Sequence, residues 1–430
     1  MLGFRAMIIE IKKLPKSEIQ ITVEVPQDLM DQYETEATRR ISDRMDIPGF
    51  RRGQAPKAFV MSQLGPDAFF QEVLNVALPR SYFEAVKREK LQVISRPDVK
   101  VLSKAPLKYE ARAAIFPEVT LKGVEKIKIP AEAVTITDKE IDEVVMEMRK
   151  YRATYKPLER EIQKGDRLEV DFQGYDDAGA ALDKTKSANH PLFVGEGTLV
   201  PGFEENLVGM KSGEKKKFPV KFPKDFHYEP LKSKTVNFEV EVKRAEEPIF
   251  PEVNEDFVSQ VMGEKKSVPD FRDAIKTDLH KRKTSESRRD RENVLLEKFL
   301  KEAKFEVSPM LIDEEIDFMM QDLKREIESR GLSFDTYMEK MSQEKRDIRK
   351  EYGAEAEKRI RIRLILNHLF RTLGLEVTEE EMQKAQERLL EAAPQDQRAQ
   401  MEKSIAEQGE VYLRLKNNLL LEKVFVKFLD

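Results

Sequence analysis

Gly49, Phe50, Arg51, Arg52, Gly53, Gln54, Ala55 and Pro56 form a short segment between two stretches of helical periodicity, so two adjacent arginines and an aromatic project from a glycine-framed turn. Guanidinium forks match phosphate oxygens in pairs, and a neighbouring ring can stack on a base or a protein surface. An ordinary solvated interhelical turn uses the same residue types, and the chemistry alone leaves both roles open. A second cluster lies in the glycine-rich middle of the chain: Val170, Asp171, Phe172, Gln173, Gly174, then Val200, Pro201, Gly202, Phe203, Glu204, then Val208 through Glu214. No nucleophile stands beside a base there. The chain has no cysteine, and its four histidines (His190, His227, His280, His368) are far apart, with no HExxH, P-loop or GxGxxG pattern. Neither a metal nor a cofactor is expected, and His227 reads as a loop histidine. The basic run Lys281, Arg282, Lys283, Arg288, Arg289, Arg291 is interspersed with acids and reads as a solvated helix face rather than a nucleic-acid patch.

The elements that must hold these residues are visible in the patterning. At 430 residues the chain exceeds one ordinary core, and two to four domains are expected. Charged residues make up 36%, well above the usual share of about 25%. That surplus implies a large exposed surface. Lys and Arg (76) nearly balance Asp and Glu (80), so any contact with nucleic acid must come from a local patch. The first residues lack a signal-peptide core and no long apolar run occurs, which predicts a soluble, cytoplasmic protein without membrane contact; Met7 is a candidate start, with residues 1–6 an extension. Residues 18 to 25 alternate as a half-buried strand, with Ile19, Ile21, Val23 and Val25 on one face. Leu29, Tyr33, Ala37, Ile41 and Met45 then form a helical stripe. A second helical stretch after Pro66 carries Phe69, Val73, Ala77, Tyr82, Phe83 and Val86, and alternation returns at Leu107, Tyr109, Ala111, Ala113 and Ile115. Thr137 and Glu140 make a capping box, as do Thr378 and Glu381. Strand patterns recur at Leu168, Val170, Phe172 and at Val236, Phe238, Val240, Val242; beyond Pro251 the chain is almost wholly helical, with thin apolar stripes such as Ile360, Leu364, Ile365, Leu366, Leu369 and Phe370.

On these motifs and their order the whole chain resembles the trigger-factor family. The 49 to 56 segment is similar to that family's G-F-R-x-G-x-x-P loop, with Gln54 where lysine is usual. The resemblance implies docking on the ribosome near the nascent-chain exit, against ribosomal protein and rRNA, with one charge-assisted contact fewer. It implies an α+β multidomain fold: a ribosome-binding domain over 1–117, a strand and helix over 118–160 belonging with the C-terminal region, an FKBP-like sheet domain over 161–245, and a helical chaperone domain over 246–430.

The FKBP resemblance implies a prolyl-isomerase pocket made by Phe172, Leu182, Asp183, Val200, Phe203, Phe226 and Phe238. Phe203 would be the floor under the prolyl ring and Asp183 a polar rim group. Each has an alternative role in core or loop packing. Leu182 stands where an aromatic is common, and Phe226 where a tyrosine would hydrogen-bond a peptide carbonyl, so turnover is expected to be reduced. The expected function is ATP-independent chaperoning of nascent and unfolded polypeptides, in folding and export, with isomerisation of X-Pro bonds. Two alternatives stay open: a free FKBP-type chaperone weakly tied to the ribosome, and a holdase whose FKBP domain only binds peptide. Homodimer formation off the ribosome is likewise open. Met319, Met320, Met338 and Met341 offer adaptable contacts to clients or within the helices.

Overall fold

The computed structural model describes residues 7–124, 127–226, 228–344 and 346–429. The readings of residues 1–6 and of His227 lie outside that set. The chain divides into two compact units, one of Met1–Ala131 with Arg288–Asp430, the other of Glu132–Ser287.

In the first unit, strands β1 (Ile8–Leu14), β2 (Glu18–Val25), β3 (Asp98–Lys104) and β4 (Leu107–Ala114) form an antiparallel sheet in the order β1-β2-β4-β3. The register sets Ile21 opposite Ala111 and Val23 opposite Tyr109. Because side chains alternate along a strand, this register places both apolar rows on one face, where all four are fully buried. Helices α1 (Gln27–Arg44), α2 (Lys57–Leu64) and α3 (Pro66–Arg88) cover that face. The expected stripe on α1 is there: Tyr33, Ala37 and Ile41 are buried, with Leu29 and Met45 partly buried beside them. Phe83 instead points outward on α3, 63% exposed. The Tyr109 hydroxyl meets Ser81 Oγ at 2.9 Å, and burial, only partly opposed by that bond, pushes its pKa up to about 12.

The same unit contains α7 (Pro309–Ser329), α8 (Phe334–Gln343), α9 (Ile348–Thr372), α10 (Glu379–Ala392), α11 (Gln395–Ala406) and α12 (Glu410–Leu429). Ser308 caps α7 ahead of Pro309, and the Thr378–Glu381 capping box opens α10. Ile360, Leu364, Ile365 and Leu369 turn inward on α9. Buried Glu315 on α7 pairs with Arg363 at 2.5 Å. Buried Glu18 on β2 accepts from Arg112 at 2.5 Å and from Ser308 Oγ at 2.7 Å, tying the sheet to the start of α7. Met319 and Met341 are buried, whereas neighbouring Phe318 and Leu332 are 51% and 60% exposed.

In the second unit, α4 (Asp138–Tyr151) starts at the Thr137–Glu140 capping box, packing with α5 (Glu255–Met262) and the start of a helix over Val268–Glu302 through Ile141, Val145, Phe257, Val258, Phe271 and Ile275. Strands β6 (Thr154–Pro157), β7 (Arg167–Tyr175), β8 (Ser187–Phe193), β9 (Lys215–Lys221) and β10 (Thr235–Ile249) form an antiparallel sheet. β10 carries β7 on one edge and β9 followed by β6 on the other. The sheet therefore extends past 161–245 at both ends, because Thr154 pairs with Ile249. Val119, Val124 and Ile129, from the segment expected to join the helical region, pack in the first unit with Leu295, Phe299 and Val424.

Candidate functional site

Sheet alternation aims Phe238 of β10 and Phe172 of β7 at one face, where they meet Phe203. Phe203 is held by a turn: Gly202 adopts φ 91°, which a side chain would resist, and the Phe203 N–H donates to Val200 O at 3.0 Å. The rings meet edge to face, with centroids 5.1 Å apart for Phe203–Phe238 and 5.3 Å for Phe203–Phe172. Phe222 and Phe226 continue the aromatic wall at 4.8 Å. These side chains enclose a cavity of about 340 Å³. Such a volume is near the lower end of small-ligand sites, roughly 300 to 1,000 Å³.

Of the residues expected from sequence, Phe172, Val200, Phe203, Phe226 and Phe238 line this cavity. Leu182 and Asp183 do not: Leu182 packs half-buried against the domain core, and Asp183 is exposed. From their loop the cavity is lined instead by Lys184 and Thr185. Sequence reasoning also passed over Leu199, Phe222, Tyr228 and Leu231. The aromatic residues near Phe226 in sequence, Phe222 and Tyr228, were the available signal; for Thr185 there was none. The Thr185 hydroxyl is fully committed, donating to Leu182 O at 2.7 Å and accepting from Gly174 N–H at 3.2 Å and from Gln173 Nε2 at 3.1 Å. Gly174 is required for that arrangement, since a Cβ there would lie 2.7 Å from Val236 and 2.9 Å from the Thr185 hydroxyl oxygen.

Glu204, quoted from sequence without a role, organises the loop over the cavity. Its buried carboxylate accepts from the N–H groups of Gly195 (2.8 Å), Gly197 (3.0 Å), Thr198 (2.8 Å) and Leu199 (3.1 Å) and from the Thr198 hydroxyl. Burial alone would raise its pKa, but these donors outweigh burial and hold the carboxyl below the usual range. Leu199 and Val200 are thereby fixed as cavity walls.

The 49 to 56 loop joins α1 to α2. Gly49 and Gly53 take φ 86° and 78°, and a Cβ on Gly53 would fall 2.4 Å from Asp43 Oδ1. Ser42 anchors the turn, its carbonyl accepting from Gly53 N–H and its hydroxyl from Ala55 N–H. Ala55 is buried and Phe50 half-buried against Phe59, with ring centroids 4.7 Å apart. Arg51, Arg52, Gln54 and Pro56 remain exposed. Arg52 lies 3.9 Å from Asp46, and Arg51 has no ion pair among the described residues. Half of the loop is thus an anchor and half a displayed basic tip.

Residues 7–148 match the family model for bacterial trigger factor protein, 267–430 that for its C-terminus, and 159–243 that for FKBP-type peptidyl-prolyl cis-trans isomerase. The trigger factor of Lysinibacillus sphaericus (strain C3-41) is 30% identical over 377 residues, 86% of this chain and 87% of its own. That of Natranaerobius thermophilus is 28% identical over 416 residues, covering 96% and 92%. A solved chain described under the trigger factor chaperone aligns over 97% of this chain and 98% of its own, at 21% identity and a TM-score of 0.46. The chain belongs to the trigger factor family and carries an FKBP-type domain between its N-terminal and C-terminal parts.

Proposed function

We propose that this chain is an ATP-independent, ribosome-associated chaperone that shields nascent polypeptides and catalyses cis/trans isomerisation of X-Pro bonds. The observation that carries the catalytic part is the aromatic cavity over Phe203 in the FKBP-type domain. Rotation about an X-Pro bond must break amide resonance; for peptide bonds generally the barrier is roughly 18 to 20 kcal/mol. The twisted amide is less charge-separated than the planar one, so an apolar, water-poor wall favours it over the ground state. Phe172, Phe203, Phe226 and Phe238 supply that wall, and the Thr185 hydroxyl is already committed to the protein's own backbone. No nucleophile is required. The basic tip at Arg51 and Arg52 is the proposed contact with rRNA phosphate and ribosomal protein, held in place by Ser42, Phe50 and Ala55.

Truncating the floor tests the catalytic reading. In a proline-limited refolding assay, Phe203→Ala should lower catalytic efficiency at least tenfold, which needs only about 1.4 kcal/mol of lost transition-state stabilisation. Circular dichroism confirms that the variant is folded. An undiminished rate would reassign the cavity to packing.

A further inference from the structure

We infer that Lys184 makes the cavity selective for X-Pro segments with a carboxylate side chain next to the proline; this rests on the isomerase reading above. Among the described residues the walls are otherwise almost wholly apolar. Among the described residues, the polar side chains lining the cavity besides Lys184 are Thr185, whose hydroxyl is committed to Gly174 and Leu182, and Tyr228. Lys184 Nζ lies 4.7 Å from the centre of the Tyr228 ring, a cation–π contact that holds the ammonium at one wall. The backbone contributes as well: Lys184 adopts φ 62°, a conformation uncommon for a side-chain-bearing residue, directly before the hydrogen-bonded Thr185.

No ion pair neutralises Lys184 among the described residues. Asp183 precedes it but is exposed and off the cavity, and Lys186 adds a second exposed cation on the same loop. Glu229 follows Tyr228 in the chain but is paired with Lys232 at 2.5 Å. A positive charge therefore stands beside a low-dielectric cavity without a partner acid among the described residues. A prolyl ring seated on Phe203 leaves its flanking residues at the cavity mouth. An acidic side chain there gains about fivefold from an ammonium at contact distance in a solvated setting, and a lysine loses by the same attraction reversed.

The test uses the full chain and tetrapeptides carrying Glu, Leu or Lys before the proline, then after it. Isomerisation efficiency and peptide dissociation constants are both measured. Glu peptides should exceed Lys peptides by at least about fivefold at one of the two positions. Lys184→Glu should invert that order, Lys184→Met should bring the ratio close to one, and high salt should compress it. A parent ratio near one at both positions, or an order unchanged in Lys184→Glu, overturns the proposal. If even the Leu peptides are not turned over, the isomerase reading fails by itself, and the same two outcomes in the dissociation constants still decide the charge preference.

Discussion

Five donors converge on the Glu204 carboxylate, and the geometry of the cavity mouth depends on them. Replacing it with glutamine removes the charge and turns an NH₂ group towards N–H donors. Hydrogen bonds to charged groups are worth about 1.5 to 3 kcal/mol, so Glu204→Gln should cost on the order of 2 to 3 kcal/mol of local stability. Its pH dependence has a definite sign. The folded-state pKa is depressed, so this stabilisation is complete above the ordinary glutamate value of about 4.3 and fades as pH falls through the lower folded value. Hydrogen exchange at Gly195, Gly197, Thr198 and Leu199, corrected for intrinsic rates, should be faster in Glu204→Gln at neutral pH, with the difference shrinking in acid. Equal protection at neutral pH would show the carboxylate to be dispensable. At this scale the aromatic walls were legible through the resemblance to FKBP-type domains, whose pocket positions carried over to Phe172, Phe203, Phe226 and Phe238, all of which line the cavity. The 182 to 185 loop was not. A loop has no periodicity, and the left-handed turn at Lys184, unmarked by glycine, decides which side chains face inward.

Elements were read more fully than loops, since burial enforces the pattern that reveals them. The β2 and β4 alternation, the α1 stripe and both capping boxes follow from side-chain period and backbone donor satisfaction, and all are present. Phe83 shows where that reasoning stops. Its hydrophobicity marks it as core, yet α3 is covered on one side only and Phe83 lies on the other. The α1–α2 loop combines both cases: its glycines announced a turn, but the clasp by Ser42 and the proximity of Asp43 to Gly53 depend on the folded helix end. Gly53→Ala would place a methyl against Asp43 at a positive φ, distorting the tip without touching either arginine. The expected result is weaker ribosome binding with an unchanged far-UV circular dichroism spectrum. Binding equal to the parent would mean that the tip needs no fixed conformation.

At the scale of the molecule, the FKBP-type sheet has entry and exit strands that are neighbours. Thr154 and Ile249 face each other across β6 and β10, so excising 155–248 leaves chain ends about 5 Å apart. A short glycine link can close that gap while α4 and α5 keep their shared core around Ile141 and Phe257. Suppression of aggregation of an unfolded client should survive this excision; its loss with a folded remainder would place chaperoning in the sheet domain. The order of parts along the chain was legible in sequence because composition changes sharply at Gly165 and Pro251. The division into spatial units was not, because it joins segments hundreds of residues apart: Glu18 meets Ser308 through a single buried carboxylate that no local pattern announces. The most direct measurement of the account is co-sedimentation of the full chain with ribosomes, at low and high salt, beside the triple variant Phe50→Ala, Arg51→Ala, Arg52→Ala. The parent should pellet at low salt and be released as salt rises, because phosphate contacts give up counterions, while the triple variant stays in the supernatant with its fold intact. A triple variant that pellets like the parent, or a parent that never pellets, would contradict it.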